Sequence, residues 1–418
     1  MDNKTIHLNG VDYAWPTRPI VVLCIDGGDP AYIERDIADG ILPNIESFIQ
    51  RGFSSVAAGT VPSFTCPNNM SLITGAPASV HGISGNYYLD AATGKEVVMT
   101  GPELLRSPTL LKQFADAGAK VVSITAKDKL RRQLGKDLDL ARGNISFSSE
   151  KADQCTLAEN GIENVLELVG RPLPDMYSAD LSLFVLEAGI RLLERVRPQL
   201  MFLSLTDYIQ HKHAPGDPVA DDFFKHIDAC FGRLESLGAI VALTADHGMN
   251  DKSLPDGSPN VVYLQDIIDE RFGADTARVV CPITDSFVRH HGALGGFVRV
   301  WIRDHQRVSA ADIIAHICRI PGVAEALDRD AVCARYELPP NREGDVAVIA
   351  DANTVIGGSA KEHDLSALRD ARLRSHGGVS EASVPFILSA PLNETYRTRA
   401  VHGLKSYQLF DYAINGTR

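Results

Sequence analysis

The sequence lacks several features that would place it in a specialised class. Its longest apolar runs, such as Ile20–Ile25, are far shorter than the roughly 20 residues of a membrane span. Residues 1–19 contain no apolar core of the kind that a signal peptide needs. Basic residues are too few to balance the acidic ones, and the net charge is −12. A nucleic-acid or anionic-membrane partner is disfavoured, because either would require a basic face.

Cysteine pairs are missing as well. The seven cysteines are odd in number, and they form no CxxC pair and no spacing typical of a disulfide framework. Reduced thiols are the simplest interpretation, which predicts a cytoplasmic protein. The oligomeric state stays open, and a homodimer is one option.

The sequence does contain an alternating pattern of strands and helices. The chain of 418 residues is long enough for one large core and a smaller companion domain. Four apolar runs bounded by turn residues predict buried parallel strands: Pro19–Ile25, Lys120–Thr125, Gln199–Leu205 and Ala239–Ala245. Helical patterns occur between them, at Asn44–Arg51, Thr109–Ala117, Asp180–Val196 and Asp221–Leu237. This alternation predicts an α/β fold with a doubly wound, mostly parallel sheet flanked by helices.

The pattern changes after about residue 270. Phe297–Ile302 alternates apolar with polar or basic residues, which is typical of a half-exposed antiparallel strand. A helix is predicted next, followed by two strand-like pieces: Ser309–Ile320, Ala331–Arg335 and Val346–Ile349. We therefore expect a small α+β cap domain, 271–349, inserted into a core domain of 1–270 and 350–418. Pro385–Ser389 predicts a last strand of the main sheet.

Three predicted strands end in an aspartate. Asp26 and Asp246 follow an apolar run directly, and Asp207 follows one after Thr206. Ligands of open α/β sheets bind at the carboxyl ends of the strands, so the three carboxylates should converge. A single aspartate after a strand is more often a helix cap or a turn residue, but three of them together make that interpretation weaker.

A histidine accompanies one of these aspartates at helical spacing. If a helix begins at Asp207, His211 lies one turn later on the same face, and the two could bind one metal ion. His213 would point elsewhere, and we leave it as an outer neighbour of the site. The alternative is that these residues form a polar, solvated turn.

Two more histidines are candidate metal ligands. His247 follows Asp246 directly, and Gly248 permits the sharp bend that would let both side chains reach one ion. His376 lies far along the chain, in a glycine-rich loop before a predicted strand. A lone loop histidine is usually a surface residue, so the case for His376 depends on the resemblance described below.

Residues 59–75 contain a candidate nucleophile. The segment has a helical pattern from Asn68 onward, and Thr65 lies just before it, in the positive field of a helix N-terminus. There the Thr65 oxygen could be metal-bound and nucleophilic, or it could simply cap the helix. Cys66-Pro67 has some similarity to the sulfatase modification motif. The arginine that this motif requires is replaced by Asn69, which excludes a formylglycine.

Taken in order, these motifs resemble the alkaline phosphatase superfamily. They look most like its nucleotide pyrophosphatase/phosphodiesterase branch and the related phosphonoacetate hydrolases, over about residues 19–270 and 360–415. The matching positions are Asp26, Thr65-Cys66-Pro67-Asn68, Asn86, Asp207-x-x-x-His211, Asp246-His247-Gly248 and His376-Gly377. The resemblance implies an alkaline-phosphatase-like fold.

It also implies two zinc ions per chain, arranged as a two-metal hydrolytic site. One zinc would be held by Asp207, His211 and His376. The other would be held by Asp26, Asp246, His247 and the oxygen of Thr65. Asn86 would donate a hydrogen bond to a phosphoryl oxygen, although it could also merely hold a turn. Asp/His sites accept manganese or iron too.

Two lysines favour a particular substrate within this group. Lys127 and Lys129 follow a predicted strand and would suit a second anionic group, although such lysines are usually just solvated. In phosphonoacetate hydrolases, lysines receive the substrate carboxylate. We therefore expect a small-molecule phosphonate substrate and cleavage of the C–P bond of phosphonoacetate, through a phosphothreonine intermediate, to acetate and phosphate.

Three alternatives remain. A nucleotide pyrophosphatase/phosphodiesterase would use the same metal site and stack a base on aromatic residues such as Phe64, Tyr87 and Tyr88. An isomerase similar to cofactor-independent phosphoglycerate mutase is disfavoured, because that family uses serine where this chain has Thr65. A metal-bearing binding protein with a dead site is disfavoured because the ligand set is complete.

Overall fold

Strands and helices alternate along the chain, and the computed structural model describes residues 4–90, 92–99, 101–283, 292–365 and 372–417. The strands are β1 Thr5–Leu8, β2 Val11–Ala14, β3 Ile20–Cys24, β4 Phe53–Ala58, β5 Tyr87–Asp90, β6 Lys95–Val98, β7 Val121–Thr125, β8 Ile145–Ser148, β9 Leu200–Ser204, β10 Ile240–Thr244, β11 Asn250–Asp251, β12 Val261–Tyr263, β13 Ala277–Val280, β14 Phe297–Ile302, β15 Val323–Asp328, β16 Val346–Ala350, β17 Val355–Gly357, β18 Arg374–Ser375 and β19 Ser383–Leu388. The α-helices are α1 Pro30–Ala38, α2 Pro43–Arg51, α3 Thr65–Thr74, α4 Ala78–His81, α5 Leu110–Asp116, α6 Asp128–Leu134, α7 Leu157–Asn160, α8 Val165–Val169, α9 Asp180–Val196, α10 Pro218–Ser236, α11 Leu264–Phe272, α12 Ala310–Ile317, α13 Arg329–Tyr336, α14 Glu394–Ala400 and α15 Leu409–Asp411.

A central sheet organises the fold, with the strand order β4-β19-β10-β3-β9-β7-β8 in the described residues. β10, β3, β9, β7 and β8 run parallel to one another, and β19 is antiparallel to β10 and β4. The four parallel strands predicted from apolar runs are β3, β7, β9 and β10, and the predicted strand near residue 385 is β19. The prediction of a doubly wound, mostly parallel sheet is confirmed.

Helices cover both faces of this sheet. Successive residues of each strand point to opposite faces, so every strand contributes to both layers of the core. In β3, Val22 packs in the core formed with α3, α5 and α15, whereas Val21 and Leu23 pack in the core formed with α1, α2, α9 and α10. Each such fully buried aliphatic side chain stabilises the fold by about 1.5–3 kcal/mol relative to an exposed one. Among the helices of the described ranges, none combines the length and the apolar character that a membrane span needs.

A second, antiparallel sheet has the strand order β13-β14-β16-β15. Its apolar side chains form a core with α11, α12 and α13, and Val61 and Phe64 from the segment before α3 join the same core. This sheet therefore packs close to the predicted nucleophile. The division into a cap of 271–349 and a core of 1–270 and 350–418 stays a prediction.

Two details of the predicted cap were wrong. Ala331–Arg335 is part of α13, which is capped by the Asp328 side chain, and the strand comes before it, as β15. Phe297–Ile302 is an antiparallel strand but is buried at all six positions. The reason is Arg299, which forms a buried ion pair with Glu343 (Nη2–Oε1 2.6 Å) instead of facing solvent.

Candidate metal centre and active site

The loops that follow three neighbouring strands meet at one edge of the central sheet. Asp26 lies just beyond β3, Asp207 beyond β9 and Asp246 beyond β10, and β3 lies between the other two strands. The parallel strands end at the same edge of the sheet, so the three carboxylates come together, as the strand-end pattern predicts. All three side chains are buried.

Asp207, His211 and His376 form the first cluster of candidate metal ligands. The Nε2 atom of His211 lies 2.8 Å from Oδ2 of Asp207, and Nε2 of His376 lies 3.9 Å from the same oxygen. The helix predicted to begin at Asp207 is instead a turn over residues 208–212. The His211 N–H still donates to the Asp207 carbonyl at 3.0 Å, so this turn keeps the two side chains on the same side.

Asp26, Asp246 and His247 form the second cluster. The Nε2 atom of His247 lies 3.2 Å from Oδ1 of Asp26 and 3.7 Å from Oδ2 of Asp246. The rings of His247 and His376 stack at 3.5 Å with only 6° between their planes. His247 of the second cluster is thus in direct contact with His376 of the first, and the two clusters are adjacent parts of one site.

The three histidines all present the same nitrogen to the site. Their Nδ1 atoms lie 2.8–2.9 Å from backbone carbonyl oxygens, of Arg374 for His211, Gly248 for His247 and Ser63 for His376. A carbonyl only accepts, so each Nδ1 carries the proton and donates it. The lone pair of a neutral ring is then on Nε2, the nitrogen that faces the carboxylates. Metal-binding histidines in proteins are oriented in the same way.

The crowding of buried carboxylates changes the acidity of the cluster. Burial, together with the charges of Asp207 and Asp246, raises the pKa of Asp26 to about 8. Burial disfavours a charged imidazole, but Asp246 and Asp26 outweigh it and raise the pKa of His247 to about 10. In His376, burial and the neighbouring imidazoles lower the pKa well below its usual range. Without a bound cation, the crowded carboxylates therefore favour protons on Asp26 and His247 at neutral pH.

The donor set fits divalent cations. Each cluster combines carboxylate oxygens with imidazole nitrogen, which are the ligand atoms that Zn²⁺ binds. Within the ranges described, the buried Asp26 Oδ1, Asp246 Oδ2 and His247 Nε2 atoms have no hydrogen-bond partner. Buried polar atoms without partners are costly, and a cation between them would remove that cost. The residues present therefore match the metal ions that the resemblance implies.

Thr65 is the first residue of α3, and the helix begins there rather than at Asn68. The N-cap position belongs to Phe64, which has extended backbone angles and makes no side-chain capping bond. The Asn68 side chain holds the preceding segment instead, by accepting from the Thr60 N–H and donating to the Thr60 carbonyl. Thr65 is thus not the cap of α3, and its oxygen lies in the positive field of the helix N-terminus.

One cavity contains Thr65, Asn86 and members of both clusters. Its lining consists of Asp26, Thr65, Cys66, Asn86, Thr125, Lys127, Lys129, Leu130, Leu205, Asp207, Ile283 and His376. Two hydrogen bonds fix the position of Asn86. Its side-chain nitrogen donates to the Ile283 carbonyl at 3.3 Å, and its backbone N–H donates to the Pro282 carbonyl at 2.9 Å. A bound anion could therefore receive the remaining amide hydrogen.

Lys127 and Lys129 line this cavity at the start of α6, whereas Asp128 between them does not. The Asp128 carboxylate is bound to the Arg131 guanidinium at 2.6 Å and lies 3.4 Å from the Lys151 ammonium. Burial lowers the pKa of Lys129, and the positive charge of Lys127 lowers it further. Both lysines therefore line the cavity, whereas the alternative interpretation placed them in a solvated turn.

The structure also shows where the sequence prediction of the site is incomplete. His213 is outside both clusters, and its Nδ1 atom pairs with Asp217 at 3.1 Å. The sequence does not decide whether His290 and His291 touch substrate, and both lie outside the described residues. The cavity residues Thr125, Leu130, Leu205 and Ile283 were not predicted. Thr125 ends β7, so the rule applied to the three aspartates could have found it.

Comparisons with known proteins agree with this geometry. Residues 20–403 match the family model described as type I phosphodiesterase / nucleotide pyrophosphatase. The crystal structure of phosphonoacetate hydrolase from Sinorhizobium meliloti 1021 in complex with phosphonoacetate is 44% identical, with a TM-score of 0.94 over 100% of both chains.

Two curated relatives match over shorter stretches. An uncharacterized pyrophosphatase/phosphodiesterase of Schizosaccharomyces pombe is 24% identical over 55% of this chain and 44% of its own length. A phosphonoacetate hydrolase of Penicillium oxalicum is 63% identical over 7% of this chain and 42% of its own length. The chain thus spans less than half the length of each of these two relatives.

The family match covers most of the chain, and the structural match covers all of it. The predicted alkaline-phosphatase-like fold and the resemblance to phosphonoacetate hydrolases are confirmed. The chain is a hydrolase that belongs to the type I phosphodiesterase / nucleotide pyrophosphatase family.

Proposed function

We propose that this protein hydrolyses the C–P bond of phosphonoacetate and releases acetate and phosphate. The observation that carries the proposal is the composition of one cavity, which combines Thr65 and Asn86 with Lys127 and Lys129. Phosphonoacetate has a phosphonate at one end and a carboxylate at the other. Thr65 and Asn86 would contact the phosphonate, and the two lysines would bind the carboxylate. The phosphonoacetate hydrolase of Sinorhizobium meliloti, whose crystals hold phosphonoacetate, supports the same ligand.

We assign two zinc ions to the site. Asp207, His211 and His376 would hold one of them, and Asp26, Asp246, His247 and the Thr65 oxygen would hold the other. When bound, the metal ions supply Lewis-acid chemistry, because they neutralise phosphonate oxygens and favour ionisation of the Thr65 hydroxyl. All seven cysteines are free thiols, which supports the cytoplasmic location expected from the sequence.

The chain's own residues divide the reaction between them. The Thr65 hydroxyl loses its proton to water, and its oxygen attacks phosphorus, so that an O–P bond forms while the C–P bond breaks and its electron pair stays on carbon. Asn86 donates to a phosphoryl oxygen. The carbanion is delocalised into the neighbouring carboxylate as an enediolate, and Lys127 and Lys129 stabilise that charge as it develops. Protonation of the carbon by water gives acetate. Water then hydrolyses the phosphothreonine, which releases phosphate and restores the hydroxyl.

The second candidate is hydrolysis of phosphate diesters, which the family description favours. A nucleotide pyrophosphatase stacks the base on aromatic rings, and the candidates for that role lie elsewhere. Phe64 is fully buried. Tyr87 and Tyr88 pack against Trp301 and Leu89. These three aromatic residues are absent from the cavity lining as far as the described residues define it, so phosphonoacetate is the better substrate for this site.

The experiment compares two substrates on the zinc-loaded protein. We expect phosphate release from phosphonoacetate with a larger kcat/KM than nitrophenol release from the p-nitrophenyl ester of thymidine monophosphate. Fast cleavage of the ester, with phosphonoacetate left intact, would favour the diesterase and remove the present proposal.

A further inference from the structure

Arg374 is a buried arginine that lies in β18, two residues before His376. Its Nε atom donates to the carbonyl of Gln210 at 2.8 Å. Its Nη2 atom lies 3.2 Å from the carbonyl of Met249 and 3.3 Å from the hydroxyl of Tyr32, and it donates to both. Neither carbonyl belongs to Arg374's own strand, so the guanidinium connects segments that are far apart in the sequence.

These partners lie next to the candidate metal ligands. Gln210 directly precedes His211, in the first cluster, and Met249 comes two residues after His247, in the second. The backbone carbonyl of Arg374 also accepts from Nδ1 of His211 at 2.8 Å. One residue therefore orients the His211 ring through its carbonyl and joins the loops of both clusters through its side chain.

We propose that Arg374 is a positioning residue that fixes the two clusters relative to each other and so sets the affinity of the site for its metal ions. The inference rests on the proposed metal-binding role of the clusters. A guanidinium suits this task, because its N–H groups are held in a rigid planar fork that can reach two carbonyls at once. A lysine at this position would keep the charge but present a single nitrogen on a flexible stem, which cannot hold both loops in the same way.

The neighbouring Arg372 provides a matched control. Its side chain is half exposed, and its Nε atom donates to Asp251 of β11 at 2.6 Å. The hydrogen bonds to the Gln210 and Met249 carbonyls described above come from Arg374 and not from Arg372. Arg372→Lys therefore makes the same chemical change in the same segment without touching the loops of the clusters.

The test is a chelator competition that measures the zinc affinity of folded wild-type protein, Arg374→Lys and Arg372→Lys. Substitution of residues that orient metal ligands usually lowers metal affinity about 10- to 100-fold, and we expect a loss of that size for Arg374→Lys alone. Saturating zinc should restore much of its turnover of phosphonoacetate. A merely structural role would lower the melting temperature of the zinc-free protein without changing the zinc affinity of the folded state.

Zinc affinity of folded Arg374→Lys within roughly 2-fold of wild type, well short of the usual loss, would overturn the inference while leaving the proposed function intact. A wild-type protein that binds no zinc would instead overturn the proposed metal role, and the inference with it. If Arg374→Lys does not fold, Arg374→Gln, which retains one amide donor, is measured and interpreted in the same way.

Discussion

At the scale of single residues, the proposed chemistry separates into a phosphorus end and a carboxylate end. In this proposal Thr65 and the Asp/His clusters serve the first, and Lys127 and Lys129 serve the second. Thr65, both lysines and members of both clusters line one cavity. Substitutions at the two ends should therefore have different consequences for different substrates. This difference allows each role to be tested without knowledge of the other.

Thr65→Ala should lower turnover of phosphonoacetate by at least about 1,000-fold, because it removes the attacking oxygen. Zinc should still bind, since the carboxylates and imidazoles of both clusters remain. Thr65→Ser is the matched control and should retain measurable turnover. Steady-state kinetics and a metal assay on the three proteins provide the measurement, and substantial activity in Thr65→Ala would exclude Thr65 as the nucleophile.

Lys127→Ala and Lys129→Ala should each reduce kcat/KM for phosphonoacetate about 100-fold more than for p-nitrophenyl phosphate, which has no carboxylate. Lys151→Ala is the control, because Lys151 lies near Asp128 on the surface and not in the cavity. Both substrates are assayed with each variant. Equal losses on the two substrates would mean that these lysines do not receive the carboxylate.

At the scale of secondary-structure elements, the contact between α1 and α10 contains a buried acidic residue. Asp36 of α1 is fully buried, and its two carboxylate oxygens have no hydrogen-bond partner in the part of the chain that the structure describes. Burial, and then the nearby carboxylate of Asp221 in α10, raise the pKa of Asp36 to about 7. Stacking of Tyr32 on Phe224, at 4.8 Å, holds the two helices together against this repulsion.

This arrangement predicts a stability that depends on pH. A carboxyl whose pKa is higher in the folded state than in the unfolded state destabilises the fold progressively as the pH rises from about 4 to about 7. Asp36→Asn should therefore increase the free energy of unfolding more at pH 8.5 than at pH 5.5, by about 1–2 kcal/mol. Denaturant unfolding at both pH values measures the difference.

Asp39→Asn is the control for this prediction, since Asp39 is partly exposed and paired with Arg35 at the end of the same helix. It should not stabilise the protein at either pH. An Asp36→Asn variant with the same gain at pH 5.5 and pH 8.5 would show that the Asp36 carboxyl does not titrate between these values.

At the scale of the whole molecule, an ion pair connects the second sheet to the site. Arg299 in β14 is fully buried against Glu343, and its Nη2 atom also donates to the Ser84 carbonyl at 2.8 Å. Ser84 lies two residues before Asn86, which lines the cavity. The sheet thus supports the loop that is proposed to bind the phosphoryl oxygens.

Arg299→Leu should destabilise the protein by about 3–5 kcal/mol, because Glu343 would be left buried without its partner. The double variant Arg299→Leu/Glu343→Leu should recover much of that loss, since replacing both charges by apolar groups removes the unpaired carboxylate. Denaturant unfolding of both variants and of wild type tests this. A double variant as unstable as Arg299→Leu would mean that the lost bond to Ser84, and not the unpaired charge, is responsible.

Much of the site could be predicted because its ligands follow buried parallel strands. Such strands are continuous apolar runs, and the rule that ligands gather at their carboxyl ends selected Asp26, Asp207 and Asp246 directly. The short strand β8 was not predicted, and Arg299 suggested a half-exposed strand although it is buried. The burial of Arg299 can be predicted only when its partner, Glu343, is known to lie beside it. Arg374 gave no sequence signal, because its role depends on contacts with distant backbone carbonyls.

The most direct test of the central claim is a crystal structure of the zinc-loaded protein with phosphonoacetate, with the metals located by anomalous scattering. We predict one zinc ion among Asp207, His211 and His376, and a second among Asp26, Asp246 and His247. The phosphonate should lie beside Thr65 and the carboxylate at Lys127 and Lys129. A single metal ion, or a carboxylate bound away from both lysines, would contradict the account.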